Sequence, residues 1–408
     1  MTQRSTPASP LPSSKIPAVP PRILLGPGPS NASPSVLQAM MQPMIGYLDP
    51  DFMLIMDEVR ELLQRVFQTD NANTLAISGT GSSGMEAGLS SLLEPGDTVV
   101  MCIYGFFCER MVEMATRIGA NVVPLRADWG RPFPEEMLKS ELKKHKNVKM
   151  VTAIHAETST GVRQPMSDIA RLAKEHDALF MVDTVTSLGG NEVAFDEWDA
   201  DYAYSATQKC LGCPPGLSPV ALSQRALQSI RDRSQLPVSW YLDLNLLGNY
   251  WGWTEPRVYH HTAPVSMILA LRQGLRLALS EGLENRFERH ARNARALSAG
   301  LEALGLECVV PQEHRLAQIT VVGIPDGVED TPVRQRLLRG FGIEIGGGLG
   351  ELAGKVWRVG LMGESSKAEY VLALLSALET VLPEFGYEVA GGAGVSAASG
   401  ELGTVAVS

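Results

Sequence analysis

The alternation of short apolar runs with amphipathic stretches most limits the folds open to this 408-residue chain. Several of the apolar runs are apolar on both faces, as in a parallel sheet that helices cover. The runs that predict strands are Thr74–Ser78, Thr98–Ile103, Val148–Ile154, Ala178–Val182, Asp201–Ser205 and Pro219–Ser223. Stretches with helical periodicity lie between them, at Asp51–Phe67, Phe107–Ile118, Pro134–Lys144 and Met166–Glu175. This rhythm predicts an α/β domain.

The C-terminal part of the chain has a different pattern. Two long helices are predicted in succession, at Pro264–Glu281 and Leu283–Leu304. Strands at Ala317–Val322, Gly342–Ile345 and Val356–Leu361 and a helix at Lys367–Leu382 follow them, which favours a smaller α+β domain. We therefore predict a flexible arm at 1–21, a large domain at 22–282, a small domain at 283–388 and a loose tail at 389–408, where Gly, Ala, Ser and Val follow no helical period.

Composition narrows the class of protein. Hydrophobic residues make up 45% and charged residues 20% of the chain, as in globular proteins. The net charge of -10 argues against nucleic-acid binding, which needs clustered Lys and Arg, and no apolar run approaches the ~20 residues that span a bilayer. Five cysteines are too few for a disulfide framework. We expect a cytoplasmic protein; whether the acid-free N-terminal arm is a targeting segment stays open.

A loop rich in Gly and Ser, Ser78–Gly84, follows a predicted strand and precedes the helical stretch Met85–Leu93. Glycines let a backbone approach a ligand closely, and the amides at a helix N-terminus favour an anion. The loop is therefore a candidate phosphate site, although such loops also simply connect strands to helices. It lacks the Gly-Lys-Ser/Thr of an ATP-binding loop and the Gly-x-Ser-x-Gly of a hydrolase.

Two charged residues follow later strands. Asp183 comes directly after an apolar run, at the sheet edge where α/β folds bind ligands, although an acid there can also cap a helix. Lys209 follows the next strand, where small and apolar neighbours can lower its pKa, although a lone lysine can also be an exposed loop residue. A phosphate site, an acid and a lysine in this order match the needs of pyridoxal 5'-phosphate: an anchor for its phosphate, a partner for its ring nitrogen and an amine for its aldehyde.

Eight short segments in this order carry a wider resemblance: Gly26–Asn31, Ser78–Gly81, His155–Gly161, Val182–Gly190, Ser205–Lys209, Tyr259–Thr262, Gly347–Gly350 and Lys355–Gly360. Together they resemble the class V aminotransferases, and more narrowly the alanine–glyoxylate and serine–glyoxylate aminotransferases. The resemblance runs from about Pro21 to Leu382. It implies the fold type I of the pyridoxal-phosphate-dependent transferases, an α/β fold in which a large domain with a mainly parallel seven-stranded sheet precedes a smaller C-terminal α+β domain.

The resemblance also implies roles in cofactor binding. Lys209 matches the lysine that binds the aldehyde and later moves the proton of the substrate, and Asp183 matches the acid that pairs with the ring nitrogen. The other positions match residues that bind the phosphate (Thr80, Gly81, Ser82 and Gln208), stack on the ring (Phe107) or lie near its oxygen (Thr158). Tyr259 and Thr262 match residues that reach the phosphate of a neighbouring subunit, which implies a homodimer with shared active sites.

Substrate roles follow from the same resemblance. Arg358 matches the arginine that binds the substrate carboxylate, and Gly28 and Thr158 match positions beside the substrate. The implied partners are a small amino acid and glyoxylate, and the implied reaction converts L-alanine and glyoxylate to pyruvate and glycine. Serine–glyoxylate and serine–pyruvate transamination remain alternatives, followed by ureidoglycine–glyoxylate transamination and cysteine desulfuration.

Other candidate motifs are interpreted as structural. Cys210 and Cys213 have the spacing of a zinc or redox pair, but no second pair accompanies them. His260 and His261 are also interpreted as structural, so no metal site is predicted. For a desulfurase, the candidate cysteines would be Cys210, which adjoins the lysine, and Cys308 in the C-terminal region.

Overall fold

The computed structural model describes residues 19–403; most of the predicted arm (1–18) and the end of the predicted tail (404–408) lie outside the described residues. The strands are β1 (Ile23–Leu25), β2 (Thr74–Ser78), β3 (Thr98–Ile103), β4 (Asn121–Arg126), β5 (Met150–Ile154), β6 (Ala156–Glu157), β7 (Val162–Arg163), β8 (Leu179–Asp183), β9 (Tyr202–Tyr204), β10 (Leu217–Leu222), β11 (Ile319–Gly323), β12 (Ile343–Gly347) and β13 (Val356–Gly360). The helices are α1 (Pro34–Ala39), α2 (Pro50–Phe67), α3 (Gly81–Leu92), α4 (Phe106–Ile118), α5 (Glu135–Leu142), α6 (Ser167–Glu175), α7 (Gln224–Arg231), α8 (Leu244–Tyr250), α9 (Val265–Glu281), α10 (Leu283–Ala303), α11 (Asp330–Phe341), α12 (Ala368–Glu384) and α13 (Ala393–Gly403).

The large sheet has seven strands in the order β2-β10-β9-β8-β5-β3-β4. Strand β10 runs opposite to the other six strands, which share one direction, so the predicted mainly parallel seven-stranded sheet is confirmed. The six strands predicted from apolar runs all form, and β4 is the one that they did not include. This strand lies at the sheet edge against β3 alone, and its short apolar run contains Pro124, a residue that argues against a strand in the interior of a sheet.

Small residues bring helix α3 close to the large sheet. A Cβ atom at Gly88 would lie 2.3 Å from the ring of Tyr202, and one at Gly84 would lie 2.9 Å from the Cβ atom of Tyr204. The hydroxyl of Tyr202 donates a hydrogen bond to the carbonyl of Gly84 at 2.7 Å. These contacts hold α3 against β9, which fixes the helix N-terminus beside the carboxyl ends of the parallel strands.

A second sheet of four strands has the order β1-β12-β13-β11. Its first strand, Ile23–Leu25, pairs in parallel with β12, although residue 22 was predicted as the start of the large domain. The chain therefore begins its described part in the sheet of the C-terminal region and then crosses to the large sheet. Sequence pattern alone does not show this pairing, because the partners are more than 300 positions apart.

The predicted loose tail is wrong for residues 393–403, which form helix α13. The carboxylate of Glu379 caps its start: Oε2 accepts from the amide of Gly392 at 2.8 Å, and Oε1 accepts from the amide of Gly394 at 2.9 Å. A Cβ atom at Gly300 of α10 would lie 2.9 Å from the carbonyl oxygen of Gly394, so the two helices meet through glycines. Tertiary contacts thus form a helix that lacks amphipathic periodicity.

Across residues 19–403, no helix is both long and apolar enough to cross a membrane.

Candidate active site

The predicted cofactor residues come together at the carboxyl end of the large sheet. A cavity of about 140 Å³ lies there between α3, α4, β8 and the segment after β9. It is lined by all eight predicted cofactor residues that the sequence assigned within one chain: Thr80, Gly81, Ser82, Phe107, Thr158, Asp183, Gln208 and Lys209. These eight residues come from five parts of the chain: the start of α3, α4, the segment after β6, β8 and the segment after β9.

Asp183 ends strand β8, with only 4% of its surface exposed. Its Oδ2 accepts a hydrogen bond from the hydroxyl of Tyr204 at 2.5 Å, and its Oδ1 accepts from the amide of Val185 at 2.7 Å. Burial raises the pKa of Asp183 to about 7, while the two hydrogen bonds act in the opposite direction. The carboxyl group is thus poised to ionise fully once a cation lies beside it.

Lys209 lies close to the N-terminal segment. Its Nζ donates a hydrogen bond to the carbonyl of Pro27, and a Cβ atom at Gly28 would lie 2.6 Å from the same nitrogen. Gly28 has a φ of +105°, so a side chain there is excluded by backbone conformation as well as by space. Burial lowers the pKa of Lys209 to about 8, which increases the neutral, nucleophilic fraction of the amine.

The start of helix α3 has free groups that suit an anion. Thr80 is the N-cap residue of α3, but its side chain makes no capping hydrogen bond, and the amides of the first helical turn follow it. Nearby, the Oε1 atom of Gln208 is buried and has no hydrogen-bond partner among residues 19–403. Donor groups without protein partners at a helix N-terminus are what a phosphate requires. The unpaired Oε1 of Gln208 is an acceptor and does not itself suit an anion; the NH₂ group of the same terminal amide is the donor available to a phosphate.

An aromatic side chain and a hydroxyl pair complete the lining. The guanidinium of Arg110 lies 5.1 Å from the ring centre of Phe107, and its Nη1 donates to Ser82 Oγ at 3.1 Å. The hydroxyl oxygens of Thr158 and Thr186 are 2.7 Å apart and share a hydrogen bond. Arg110 was not predicted from sequence. It contacts both the ring of Phe107 and the loop Ser78–Gly84, the candidate phosphate loop, and places a positive charge beside that loop.

Arg358 lies on β13 and is buried, with 5% of its surface exposed. Its Nε donates to the carbonyl of Gly347 at 2.7 Å and its Nη1 to the carbonyl of Thr158 at 3.3 Å. No hydrogen bond to a residue within 19–403 uses Nη2. Two main-chain acceptors thus orient the guanidinium, and its positive charge contributes to the lowered pKa of Lys209.

Tyr259 and Thr262 do not line the cavity, and both side chains are exposed. The ring of Tyr259 lies 5.3 Å from that of Tyr47. Their predicted contact is with the phosphate of a neighbouring subunit, so the single chain leaves this prediction untested. Their exposure is compatible with such a contact.

The sequence analysis did not single out two buried polar residues of the site. The hydroxyl of Tyr204 donates a hydrogen bond to the carboxylate of Asp183, and Glu157 is wholly buried beside α4. Glu157 Oε1 accepts from the amide and the hydroxyl of Ser159 at 2.9 and 2.6 Å, while burial raises its pKa. Glu157 stands in a quoted motif and Tyr204 directly precedes another, but only the fold shows which groups they meet.

These groups together fit pyridoxal phosphate: a helix N-terminus with unpaired donors, a buried carboxyl group, a partly buried amine and an aromatic ring surround one cavity. The family model for class V aminotransferases ("Aminotransferase class-V") matches residues 23–356. This chain is a class V aminotransferase. The cofactor of the enzyme is therefore pyridoxal phosphate, and the predicted family, fold and cofactor are confirmed.

Known aminotransferases resemble this one over most of its length. The structure of an alanine–glyoxylate aminotransferase from Nostoc sp. has a TM-score of 0.88 and 50% identity, and the match covers 91% of this chain and 98% of that chain. The structure of the ureidoglycine–glyoxylate aminotransferase from Bacillus subtilis has a TM-score of 0.93 and 42% identity, covering 96% and 100%. The alanine–glyoxylate aminotransferase of Drosophila melanogaster is 41% identical over 367 residues, covering 89% of this chain and 93% of its own.

Proposed function

We propose that this aminotransferase transfers the amino group of L-alanine to glyoxylate, which yields pyruvate and glycine. The observation that carries the proposal is the position of Arg358, oriented by two carbonyls and close enough to Lys209 for its charge to lower the pKa of the lysine. Such an arginine binds the carboxylate of an α-amino acid and presents the α-carbon to the amine.

In this proposal each residue has a separate task. Lys209 would hold the aldehyde of the cofactor through its amine, and the free amine would then move the proton from the α-carbon of the substrate to the cofactor. Asp183 keeps the ring nitrogen protonated, since its ionised form pairs with a positive charge. The bound cofactor supplies an electron sink. Thr80, Gly81, Ser82 and Gln208 hold the phosphate.

The site is shaped for a small amino acid. The carbonyl of Pro27 and the backbone of Gly28 lie against Nζ of Lys209, so one side of the reacting amine is closed by main chain. L-Alanine and glyoxylate carry little beyond the groups that react, and alanine–glyoxylate aminotransferases are among the relatives with high identity. These points favour alanine as donor and glyoxylate as acceptor.

Ureidoglycine is the second candidate donor, because the Bacillus subtilis enzyme matches this chain as fully as the alanine enzymes do. Serine differs from alanine by one hydroxyl, which a pocket rejects only weakly. Steady-state kinetics with alanine, serine and ureidoglycine, each with glyoxylate, test the proposal. We expect the highest kcat/KM for alanine; a higher value for ureidoglycine or serine would overturn it.

A Lys209→Ala variant tests the assignment of the amine. We expect loss of the visible absorption band of the bound cofactor and of turnover, while Lys146→Ala, at an exposed lysine away from the cavity, retains both. Turnover of Lys209→Ala at the parent rate would contradict the assignment.

Cysteine desulfuration has weaker support. All five cysteines are buried in the structure, and burial raises the pKa of Cys210 to about 11 and that of Cys308 above its usual value. A desulfurase needs a thiolate that can reach the substrate, and a buried thiol with a raised pKa is a poor nucleophile. Release of sulfide from cysteine at a rate comparable to transamination would reverse this ranking.

The proposed enzyme is a homodimer with shared sites. Exposed apolar side chains cluster on two segments, 41–48 and 240–259. The two segments are in contact, because the hydroxyl of Tyr250 donates a hydrogen bond to the carbonyl of Tyr47 at 2.8 Å. The apolar side chains include Met41, Met44, Leu48, Trp240, Val258 and Tyr259, each at least half exposed. Exposed apolar patches of this kind mark protein interfaces. Light scattering of the purified protein is expected to give twice the 44.0 kDa chain mass.

A further inference from the structure

A row of hydrogen bonds connects an exposed surface segment to the start of the phosphate loop. His260 Nε2 lies 3.2 Å from the carbonyl oxygen of Trp240, and the Nδ1 atoms of His260 and His261 are 2.8 Å apart. His261 Nε2 lies 2.7 Å from Oγ of Ser78. Ser78 is the last residue of β2 and stands two positions before Thr80, the N-cap of α3.

When both rings are neutral, the chemistry of the first partner fixes the direction of every bond in the row. A carbonyl oxygen only accepts, so His260 Nε2 must carry a hydrogen. In a neutral ring, His260 Nδ1 is then an acceptor, and His261 Nδ1 must donate to it. His261 Nε2 is left without a hydrogen and accepts from the hydroxyl of Ser78. The neutral pair therefore has one tautomer at each histidine.

The surroundings hold both rings in place and disfavour a charge on His261. His260 and His261 are buried, with 5% and 8% of their surfaces exposed. Burial, followed by the neighbouring His260, lowers the pKa of His261 to about 4. The indole of Trp240 stacks on His260 at 4.3 Å, and the rings of Tyr241 and Tyr250 pack on His261 at 5.2 and 5.7 Å. These contacts hold both imidazole planes.

We propose that His260 and His261 are positioning residues that fix the Ser78 hydroxyl and so hold the phosphate loop ready for the phosphate of the cofactor. The two histidines lie between Tyr259 and Thr262 in the chain, and their hydrogen bonds connect this segment to the end of β2 at Ser78. The inference rests on the phosphate role proposed above for Thr80, Gly81 and Ser82. Without the row, the strand end at Ser78 loses the side-chain contact that restrains it, and a preorganised anion site loses affinity when its loop is freed.

Histidine tautomers are measured directly by long-range ¹H–¹⁵N NMR on the ¹⁵N-histidine-labelled full chain near pH 7.5. The expected result is a hydrogen on Nε2 of His260 and on Nδ1 of His261. A hydrogen on Nε2 of His261, or a doubly protonated ring at this pH, would contradict the directed row. This measurement needs neither substrate nor turnover.

Cofactor binding tests the consequence. The full chain, stripped of cofactor, is titrated with pyridoxal phosphate and separately with pyridoxal, which lacks the phosphate. Ser78→Ala and His261→Asn are each expected to weaken pyridoxal phosphate about three- to tenfold, as for loss of one hydrogen bond, with pyridoxal affinity unchanged. Ser78→Thr retains a hydroxyl and is expected to restore most of the affinity. Ser239→Ala, on the surface segment but outside the row, is the matched control.

Equal losses for the two ligands would indicate general damage to the fold and overturn the proposal, as would unchanged affinity in Ser78→Ala. The double variant is expected to lose no more than either single variant, because the two side chains form one bond. Failure of the donor assignment under the proposed function leaves these binding results untouched. Failure of the parent chain to prefer pyridoxal phosphate over pyridoxal would instead reject the phosphate site itself.

Discussion

The hydroxyl of Tyr204 donates to Oδ2 of Asp183 at 2.5 Å, between side chains that face each other on the adjacent parallel strands β8 and β9. Tyr204 is wholly buried, so this hydroxyl is a fixed donor. Burial drives the pKa of Asp183 upward, and the hydrogen bond from Tyr204 is the strongest influence in the opposite direction. The pair sets how far the acid is ionised before a cofactor arrives.

Tyr204→Phe is expected to raise the pKa of Asp183 further above about 7, because the ionised form loses a donor. Cofactor affinity should fall about tenfold or more near pH 7, the size of a hydrogen bond to a charged group, and recover as the pH rises. Titration with pyridoxal phosphate from pH 6 to 9 measures both effects. Tyr202→Phe is the matched control, since Tyr202 lies on the same strand as Tyr204 but its hydroxyl donates to the neutral carbonyl of Gly84 on α3. A pH profile shared by both variants would contradict the pairing.

Gly28→Ala is expected to abolish most turnover while the protein stays folded. The new Cβ atom would lie 2.6 Å from Nζ of Lys209, so the lysine must move away from its position. Gly327→Ala is the control for backbone strain, because Gly327 has a φ of +83° and a Cβ atom there meets nothing within 4 Å. Turnover and thermal unfolding are compared. Equal activity of the two variants would show that the contact with Lys209 does not matter.

Arg358→Lys is expected to raise KM for the amino acid and lower kcat/KM by about ten- to a hundredfold, because a point charge replaces an oriented planar donor. Affinity for pyridoxal phosphate should stay within about twofold, since the phosphate loop is untouched. Arg336→Lys, in an exposed ion pair with Glu384, is the matched control. A lower affinity for the cofactor, with KM unchanged, would place Arg358 outside the substrate site.

Acid is expected to destabilise the fold through His155 and His290, whose folded pKa values are lowered by burial to about 3. In the unfolded chain each histidine binds a proton below its ordinary pKa near 6.5, whereas in the folded chain it stays neutral down to about pH 3. The free energy of unfolding therefore decreases as the pH is lowered below about 6.5. Each histidine removes about 2 kcal/mol of unfolding free energy between pH 7 and 5. Urea unfolding at several pH values measures the free energy of unfolding, and its slope against pH gives the number of protons bound on unfolding. His290→Gln should reduce that number by up to one. An unchanged slope in that variant would exclude His290.

Periodicity and local motifs predicted much of the fold, because buried parallel strands are apolar on both faces. Several elements were not predicted, among them β1, β6, β7, α1, α7, α8 and α11, and two further ones, strand β4 and helix α13, show the reason. Each depends on one long-range contact surface: β4 on its single neighbour β3, and α13 on the Glu379 carboxylate and the glycines of α10. Neither contact leaves a periodic signal in the local sequence.

By itself, the sequence determined which groups are candidates for the chemistry: Lys209, Asp183 and the loop Ser78–Gly84 each follow a strand, and parallel strands end at one edge of a sheet. Only the tertiary structure decided which neighbours surround those groups and therefore their pKa values. It put Tyr204 on Asp183 and the main chain of Gly28 beside Lys209. Burial and hydrogen bonding depend on residues distant in the chain, so the pKa values that set reactivity arise only when the chain is folded.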